Sequence, residues 1–438
     1  MSKKIFITSF HPLVSRNILS SGILDKLNSS GFKVVILVPR EKKDFFEKSF
    51  ANEGVVVEGV VFKSGRREAF FRYISFACLR TETLKIKRKT EMGGSGAISS
   101  LFFANRIGVG LLRFLEKITY KHDIFGTLFE KYKPEKVFST DMQSELDIAL
   151  IHEAKKRNIK TVGMIRSWDN LTSKGLIRVI PGKLLVWNEI VRTEAQKYHY
   201  IKDPLISIVG IVHYDSYKDL KETSREDFIK KIGGDVSKKT ALLVPIGDRY
   251  LKENTVDRDI VKILSEILPL NFQILVRLPP GDFVRELENK ENKFERIKVL
   301  FDRATKNFEN IKMTEIGKQD DEHLVNTLRN VDIVISGPST MAIDSVVFDK
   351  PTVLFGFDGY QKRPYLDSIR RYYDYDNFVP VIESGGVRLA KSVEEFKELV
   401  NSAINNPSKD HDFRMCLVDM EASVFYGKCL ERLMDALK

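Results

Sequence analysis

The residues with the clearest chemical potential lie between Val331 and Asp358, in VDIVISGPSTMAIDSVVFDKPTVLFGFD. An apolar run ends at Ser336, a Gly337-Pro338 turn follows, and Ser339 or Thr340 opens a helix. A glycine at the turn lets a ligand come close to the backbone. Ser339 and Thr340 are favourable N-cap residues. The unpaired N–H groups and positive end of a helix starting there suit a diphosphate. Asp344 lies about one turn further along, where a carboxylate can accept hydrogen bonds from both hydroxyls of a ribose. The same spacing also fits an ordinary capped helix with a solvated Asp. Two more polar points end apolar runs in this half of the chain: Gly247 in VPIGD and Arg277 in VRLPP. A guanidinium at the second can hold phosphate through two parallel hydrogen bonds.

The first half carries its own polar clusters after apolar runs, FSTDMQSE (Phe138 to Glu145) and MIRSWDNLTSKG (Met164 to Gly175). A carboxylate in such a loop can take the proton of an attacking hydroxyl. Asp169 is the first candidate for that base and Asp141 the second, with Arg166, Asn170 and Lys174 as contacts for the molecule that brings the hydroxyl. WDNL also fits an Asx-type turn that merely fixes the loop. His11, just after the first apolar run, is a third catalytic candidate, or else a loop histidine with a structural hydrogen bond.

Short apolar runs separated by helix-length segments must position these residues, and that alternation implies parallel sheets with crossover helices. Strands are expected at Lys4 to Phe10, Lys33 to Val38, Val55 to Phe62, Val137 to Thr140, Thr161 to Ile165, Leu184 to Trp187 and Ile206 to Gly210, with one helix from about Val14 to Ser29. After a polar stretch from His213 to Lys239, read as a linker, the pattern restarts at Thr240 to Ile246, Phe272 to Leu278, Ile311 to Ile316, Val331 to Gly337 and Pro351 to Phe357. Helices close the chain from about Val393. The expected organisation is two Rossmann-like α/β domains facing one cleft, 1–212 and 213–438, with the C-terminal helices packing back on the first domain. An insertion at about 63–130 interrupts the first domain. It is basic and aromatic at RREAFFRYISFACLR, continues through a Gly/Ser stretch, MGGSGAISS, and ends in a second apolar helix.

Composition narrows the function. The 438 residues suffice for two domains, and 43% hydrophobic residues for two cores. No apolar run reaches the ~18 residues that would span a bilayer, and the N-terminus lacks the form of a signal peptide, so a cytoplasmic location is expected. Cys78, Cys416 and Cys429 form no CxxC pair, which excludes a disulfide framework and a structural zinc site. The seven histidines form no metal-binding motif, so no metal and no cofactor is expected. A phosphate-binding GxGxxG after the first strand and a P-loop are both absent. The net charge of +11 concentrates between Lys63 and Glu91, where nine Lys/Arg stand against three Glu. No nucleic-acid-binding module accompanies that charge. It suits either the anionic inner face of the cell membrane or a solvated basic surface.

The segment Val331 to Asp358 resembles the nucleotide-binding segment of GT-B glycosyltransferases and of the UDP-N-acetylglucosamine 2-epimerases that share their fold. In those families a small-residue turn holds phosphate, and an acidic residue seven positions before a helix-ending proline binds the ribose. Asp344 stands seven before Pro351, and the Gly-Lys-Pro ending appears as Asp349-Lys350-Pro351. The following FGFDGYQKRPY, with Asp358, matches the place where such enzymes continue toward the donor. VRLPP resembles an Arg-x-His-Pro element of the CDP-glycerol glycerophosphotransferases, with Pro279 in place of the histidine. FSTDMQSE resembles the His-Gly-Asp loop of the epimerases, with Asp141 in the acidic position. MIRSWDNLTSKG occupies the place of their Glu-Ala-Gly-Leu-Arg loop without its glutamate, which counts against epimerisation. The resemblance implies a glycosyltransferase that carries a sugar from a nucleotide-activated donor to a surface-polysaccharide or lipid-linked glycan acceptor. The two acids seven apart that mark retaining members are not present in full, which implies inversion, without a metal. The donor would be held by Gly247, Arg277, Gly337, Pro338, Ser339, Thr340, Asp344 and Asp358. The alternatives are a CDP-glycerol-type polyol-phosphate transferase and a non-catalytic nucleotide-sugar-binding protein.

Overall fold

The computed structural model describes residues 3–92, 100, 103–251, 253–279, 283–288, 296–303, 318–422 and 427–438. The expected strand Ile311 to Ile316 and most of the Gly/Ser stretch lie outside the described residues. The chain forms two compact units. One ends at Ser216 and regains the last helix, Cys429–Leu437; the other runs from Tyr217 to Ala422.

The first unit holds a seven-stranded sheet of β1 (Lys3–Thr8), β2 (Phe32–Pro39), β3 (Val55–Val60), β4 (Lys136–Ser139), β5 (Lys160–Met164), β6 (Lys183–Val186) and β7 (Ile206–Ile208). All pairings are parallel, in the order β3-β2-β1-β4-β5-β6-β7. The central strands are covered on both faces, which is why Ile5 to Ile7 and Val34 to Val38 are continuous apolar runs and fully buried. The helix expected from Val14 to Ser29 is broken at Gly22. That residue takes φ +86° and separates Pro12–Asn17 and a 3-10 turn from Ile23–Ser29. Asp215 ties the last helix to this unit by accepting the N–H groups of Gly427 (2.7 Å) and Leu430 (2.8 Å).

The insertion contributes helices Arg66–Ala77, Glu82–Thr90 and Arg106–Thr119. Its buried Glu116 pairs with Arg67 at 3.1 Å and Arg178 at 3.3 Å, and buried Glu68 with Arg67 at 3.2 Å and His122 at 3.0 Å.

The second unit holds β8 (Lys239–Val244), β9 (Phe272–Leu278), β10 (Val299–Arg303), β11 (Ile333–Ser336), β12 (Thr352–Phe355) and β13 (Arg388–Ala390). They are parallel in the order β10-β9-β8-β11-β12-β13. The stretch His213 to Lys239, read as a linker, is ordered: helix Arg225–Lys231 places Phe228 and Ile229 in a core with Leu242, Leu275 and Val334. In each sheet the strand order reverses once, between β1 and β4 and between β8 and β11. In open α/β sheets, ligands bind outside the carboxyl ends of the strands at such a point.

Candidate functional site

In the first unit the loops leaving β1, β4 and β5 bring His11, Asp141 and Arg166 together. His11 caps helix Pro12–Asn17, its Nδ1 accepting the Leu13 N–H at 3.2 Å. Burial first, then the charges of Arg166, Lys174 and Lys42, lower its pKa to about 4. The ring is therefore neutral near pH 7, and with Nδ1 engaged as acceptor its proton sits on Nε2. Asp141 accepts the Gln143 N–H at 2.9 Å and pairs with Arg166. The Gln143 side chain donates to the carbonyls of Asn170 (3.0 Å) and Gly175 (2.7 Å), tying the two loops to each other.

Asp169 accepts the Ser173 hydroxyl at 2.9 Å. Burial pushes its carboxyl up, but Lys174, the Ser167 and Ser173 hydroxyls and Lys87 together outweigh burial and hold the pKa below the usual value. That makes it a weak base. Asp147 was not singled out by sequence. Buried completely in the first turn of helix Glu145–Lys156, it accepts the hydroxyls of Thr8 (2.6 Å) and Ser139 (2.8 Å). Burial and the Asp141 charge raise its pKa. The signal for it in sequence is one Asp between apolar residues, which many solvated helix starts share.

An open cavity of about 280 Å³ is lined by Asp141, Gln143, Arg166, Asn170, Lys174 and, from the insertion, Arg72 and Ser75. The insertion is built into its wall. The Leu176 N–H donates to the Ser75 carbonyl at 3.1 Å, and the Thr81 hydroxyl to the Thr172 carbonyl at 2.7 Å. Gly175 takes φ +89°, and a Cβ there would lie 2.6 Å from Ser75 Oγ. Behind the loop, buried His199 accepts the Ile177 N–H at Nδ1 (3.0 Å) and donates from Nε2 to the Leu171 carbonyl (2.8 Å).

In the second unit, the loops after β8 and β11 flank the point of reversal. The N–H groups of Ile246 and Gly247 donate to Asp257 at 2.8 and 3.1 Å, and Gly247 takes φ +89°. Burial raises the Asp257 pKa to about 6. The Gly337 N–H donates to the Val244 carbonyl at 3.1 Å. A Cβ on Gly337 would lie 2.7 Å from Ile246 Cγ1 and 3.3 Å from Phe355 Cζ. Both glycines thus shape the turns while their own N–H groups are engaged by the protein. Pro338 has no N–H. The N–H groups of Ser339 and Thr340 have no acceptor among the described residues, and Thr340 is exposed.

Asp344 sits on helix Met341–Val347 and is 6% exposed. Arg277, at the end of β9, lies 3.7 Å from Asp302 and 3.5 Å from the Thr327 hydroxyl, so any phosphate must share it. Asp358 is buried and accepts the Ile369 N–H at 3.0 Å, anchoring the loop after β12. Among the described residues no group of three or more His, Cys, Asp or Glu side chains is placed to hold a metal ion. No described helix is long and apolar enough to cross a membrane.

No family model matches this chain, and no curated protein sequence does. Solved structures match over the full length. The UDP-GlcNAc 2-epimerase of Neisseria meningitidis bound to UDP-GlcNAc superposes with a TM-score of 0.60 at 10% identity, covering 99% of this chain and 99% of the other. The UDP-GlcNAc 2-epimerase of Methanocaldococcus jannaschii gives 0.56 at 14% identity, covering 100% and 99%. A glycosyltransferase from Rickettsia africae gives 0.53 at 11% identity, covering 99% and 97%. At such identities the likeness speaks for architecture, and with the two parallel sheets it leads to one conclusion: this chain has the GT-B fold, built from two Rossmann-like α/β domains.

Proposed function

We propose that the protein is a metal-independent, inverting glycosyltransferase that moves a sugar from a nucleotide-activated donor to a surface-polysaccharide or lipid-linked glycan acceptor. The observation that carries this reading is the Gly337-Pro338-Ser339-Thr340 turn. It lies at the reversal point of the second sheet, with two N–H groups unused, in a fold whose solved relatives include one holding UDP-GlcNAc. In this reading the Ser339 and Thr340 N–H groups meet the diphosphate and Asp344 the ribose, with Arg277 as a shared phosphate contact. Gly247, Gly337 and Asp358 shape the loops. The cavity of the first unit takes the acceptor, against Arg166, Asn170 and Lys174. Of the two candidate carboxylates only Asp141 lines that cavity, so it, rather than Asp169, takes the proton of the acceptor hydroxyl. His11 supplies a neutral Nε2–H donor. The acceptor oxygen bonds to the anomeric carbon as the bond from that carbon to the diphosphate breaks. The electron pair leaves with the nucleoside diphosphate, whose charge the turn stabilises.

Likeness to the epimerases supports a second reading, isomerisation of the donor sugar on the same nucleotide site. Product analysis separates the possibilities. The protein is incubated with UDP-, GDP-, dTDP- and CDP-activated donors, with and without a membrane-glycan fraction. Sugar transfer releases a nucleoside diphosphate only with acceptor. Transfer of a polyol phosphate releases a nucleoside monophosphate. Epimerisation returns an isomeric nucleotide-sugar without acceptor. Binding with no product identifies a sensor and contradicts all three.

A further inference from the structure

Insertion helices Arg66–Ala77 and Arg106–Thr119 pack together and bury Phe71, Val109 and Leu112 in a core with Leu84 and Leu176. Both of their acids and Arg113 are turned inward. Glu68 and Glu116 are 4% and 1% exposed and ion-paired, and Arg113 donates to the carbonyls of Ile177 and His199. A second set of apolar side chains on the longer helix faces out: Ile107 is 84% exposed, Leu111 48%, Phe114 58% and Ile118 54%. The spacing of 107, 111, 114 and 118 makes one stripe along the helix, about 16 Å long. Phe70 and Tyr73 on the first helix are also exposed, at 56% and 43%. A helix in a globular protein turns such a stripe to its core, so this face is built to be covered.

The charge around it selects the cover. Arg66, Arg72, Arg106, Lys117 and Lys121 are exposed, whereas both acids within 66–77 and 106–121 are buried. A second copy of the chain would bring the same positive rim and be repelled. We propose that this face docks on an anionic lipid bilayer, its apolar side chains entering the headgroup–acyl boundary and its cations meeting the headgroup charge. The helix carrying Phe70 and Tyr73 also carries Arg72 and Ser75 to the cavity wall. Docking would thus bring that cavity to a lipid-borne acceptor, a corollary that rests on the function proposed above; the docking itself does not.

The test is flotation of the full chain with vesicles of phosphatidylcholine alone and of phosphatidylcholine with phosphatidylglycerol at about three to one. Wild type floats with the anionic vesicles and not with the neutral ones, and high salt weakens the binding. Replacing Ile107, Leu111, Phe114 and Ile118 together by Gln lowers the bound fraction at limiting lipid by about tenfold or more. Arg66→Gln/Arg106→Gln/Lys117→Gln does the same. All seven positions are exposed, and an unchanged melting temperature checks the fold. The proposal is overturned if wild type does not float with anionic vesicles, or if the apolar variant floats equally well. Self-association of wild type that the apolar variant abolishes also overturns it, since the cover is then a second copy. Flotation needs no turnover, so its failure leaves the transferase reading untouched, and failure of that reading leaves the docking intact.

Discussion

His199 holds a loop that lines the cavity of the first unit, and its effect on stability can be worked out from its two hydrogen bonds. The ring is buried, accepts at Nδ1 from Ile177 and donates at Nε2 to Leu171, so it must be neutral. Protonating Nδ1 would set an N–H against the Ile177 N–H. Burial lowers the pKa from 6.5 to about 3, with Arg113 adding to the effect and the Leu171 bond opposing it. In the unfolded chain the ring takes up a proton below pH 6.5. The stability due to the neutral ring is therefore complete above that pH and is lost as pH falls toward 3. Between pH 7 and pH 5 the loss amounts to about 2 kcal/mol, which lowers the melting temperature by roughly 4–8 °C for a unit of this size. A Gln at 199 can keep the donor but leaves the Ile177 N–H unpaired. His199→Gln is thus about 1–3 kcal/mol less stable at pH 7, yet it loses about 2 kcal/mol less on acidification. Thermal unfolding of both proteins at pH 7, 6 and 5 measures that difference, in which the other histidines cancel. Parallel pH dependences, or a His199 that titrates near 6.5 by NMR, would refute the reasoning.

Gly175→Ala forces a side chain into the left-handed region, at about 1–2 kcal/mol, and onto Ser75. Thermal unfolding should show at least that loss, and transfer activity should fall through KM for the acceptor. Gly337→Ala drives a methyl into Ile246, lowering stability by roughly 1–3 kcal/mol and weakening nucleotide binding; calorimetric titration checks the second effect. Lys174→Met removes a charge that lowers the pKa of both His11 and Asp169, so the His11 pKa should rise from about 4 in an NMR titration. An unchanged value would mean that Lys174 does not act on the ring.

All seven strands of the first sheet were legible because each lies in a short apolar run set off by helix-length spacers, even the three-residue Ile206–Ile208. The missed strands, β10 and β13, are sheet edges: Val299–Arg303 ends in two charged residues, and Arg388–Ala390 has three residues, one of them charged. The helix break at Gly22 depends on a backbone conformation that a single glycine in an apolar stretch does not announce. In the candidate site, residue types and loops were readable, but hydrogen-bond partners were not. Pairing of Arg277 with Asp302 and of Asp358 with the Ile369 N–H joins residues that no local pattern links. The cavity wall joins Arg72 to Lys174 across a hundred residues, and the outward turn of Ile107 and Phe114 depends on which face Glu116 and Arg113 bury.

The central claim, a nucleotide held by the turn after β11 and by Asp344, is tested most directly by thermal shift with UDP, GDP, CDP, CMP and ADP on wild type and on Asp344→Asn. A nucleotide at about 100 times its Kd stabilises the protein by roughly 2.7 kcal/mol. One nucleotide is expected to stand out, and its shift to shrink in the variant. No shift with any nucleotide, or an equal shift in the two proteins, would contradict the claim.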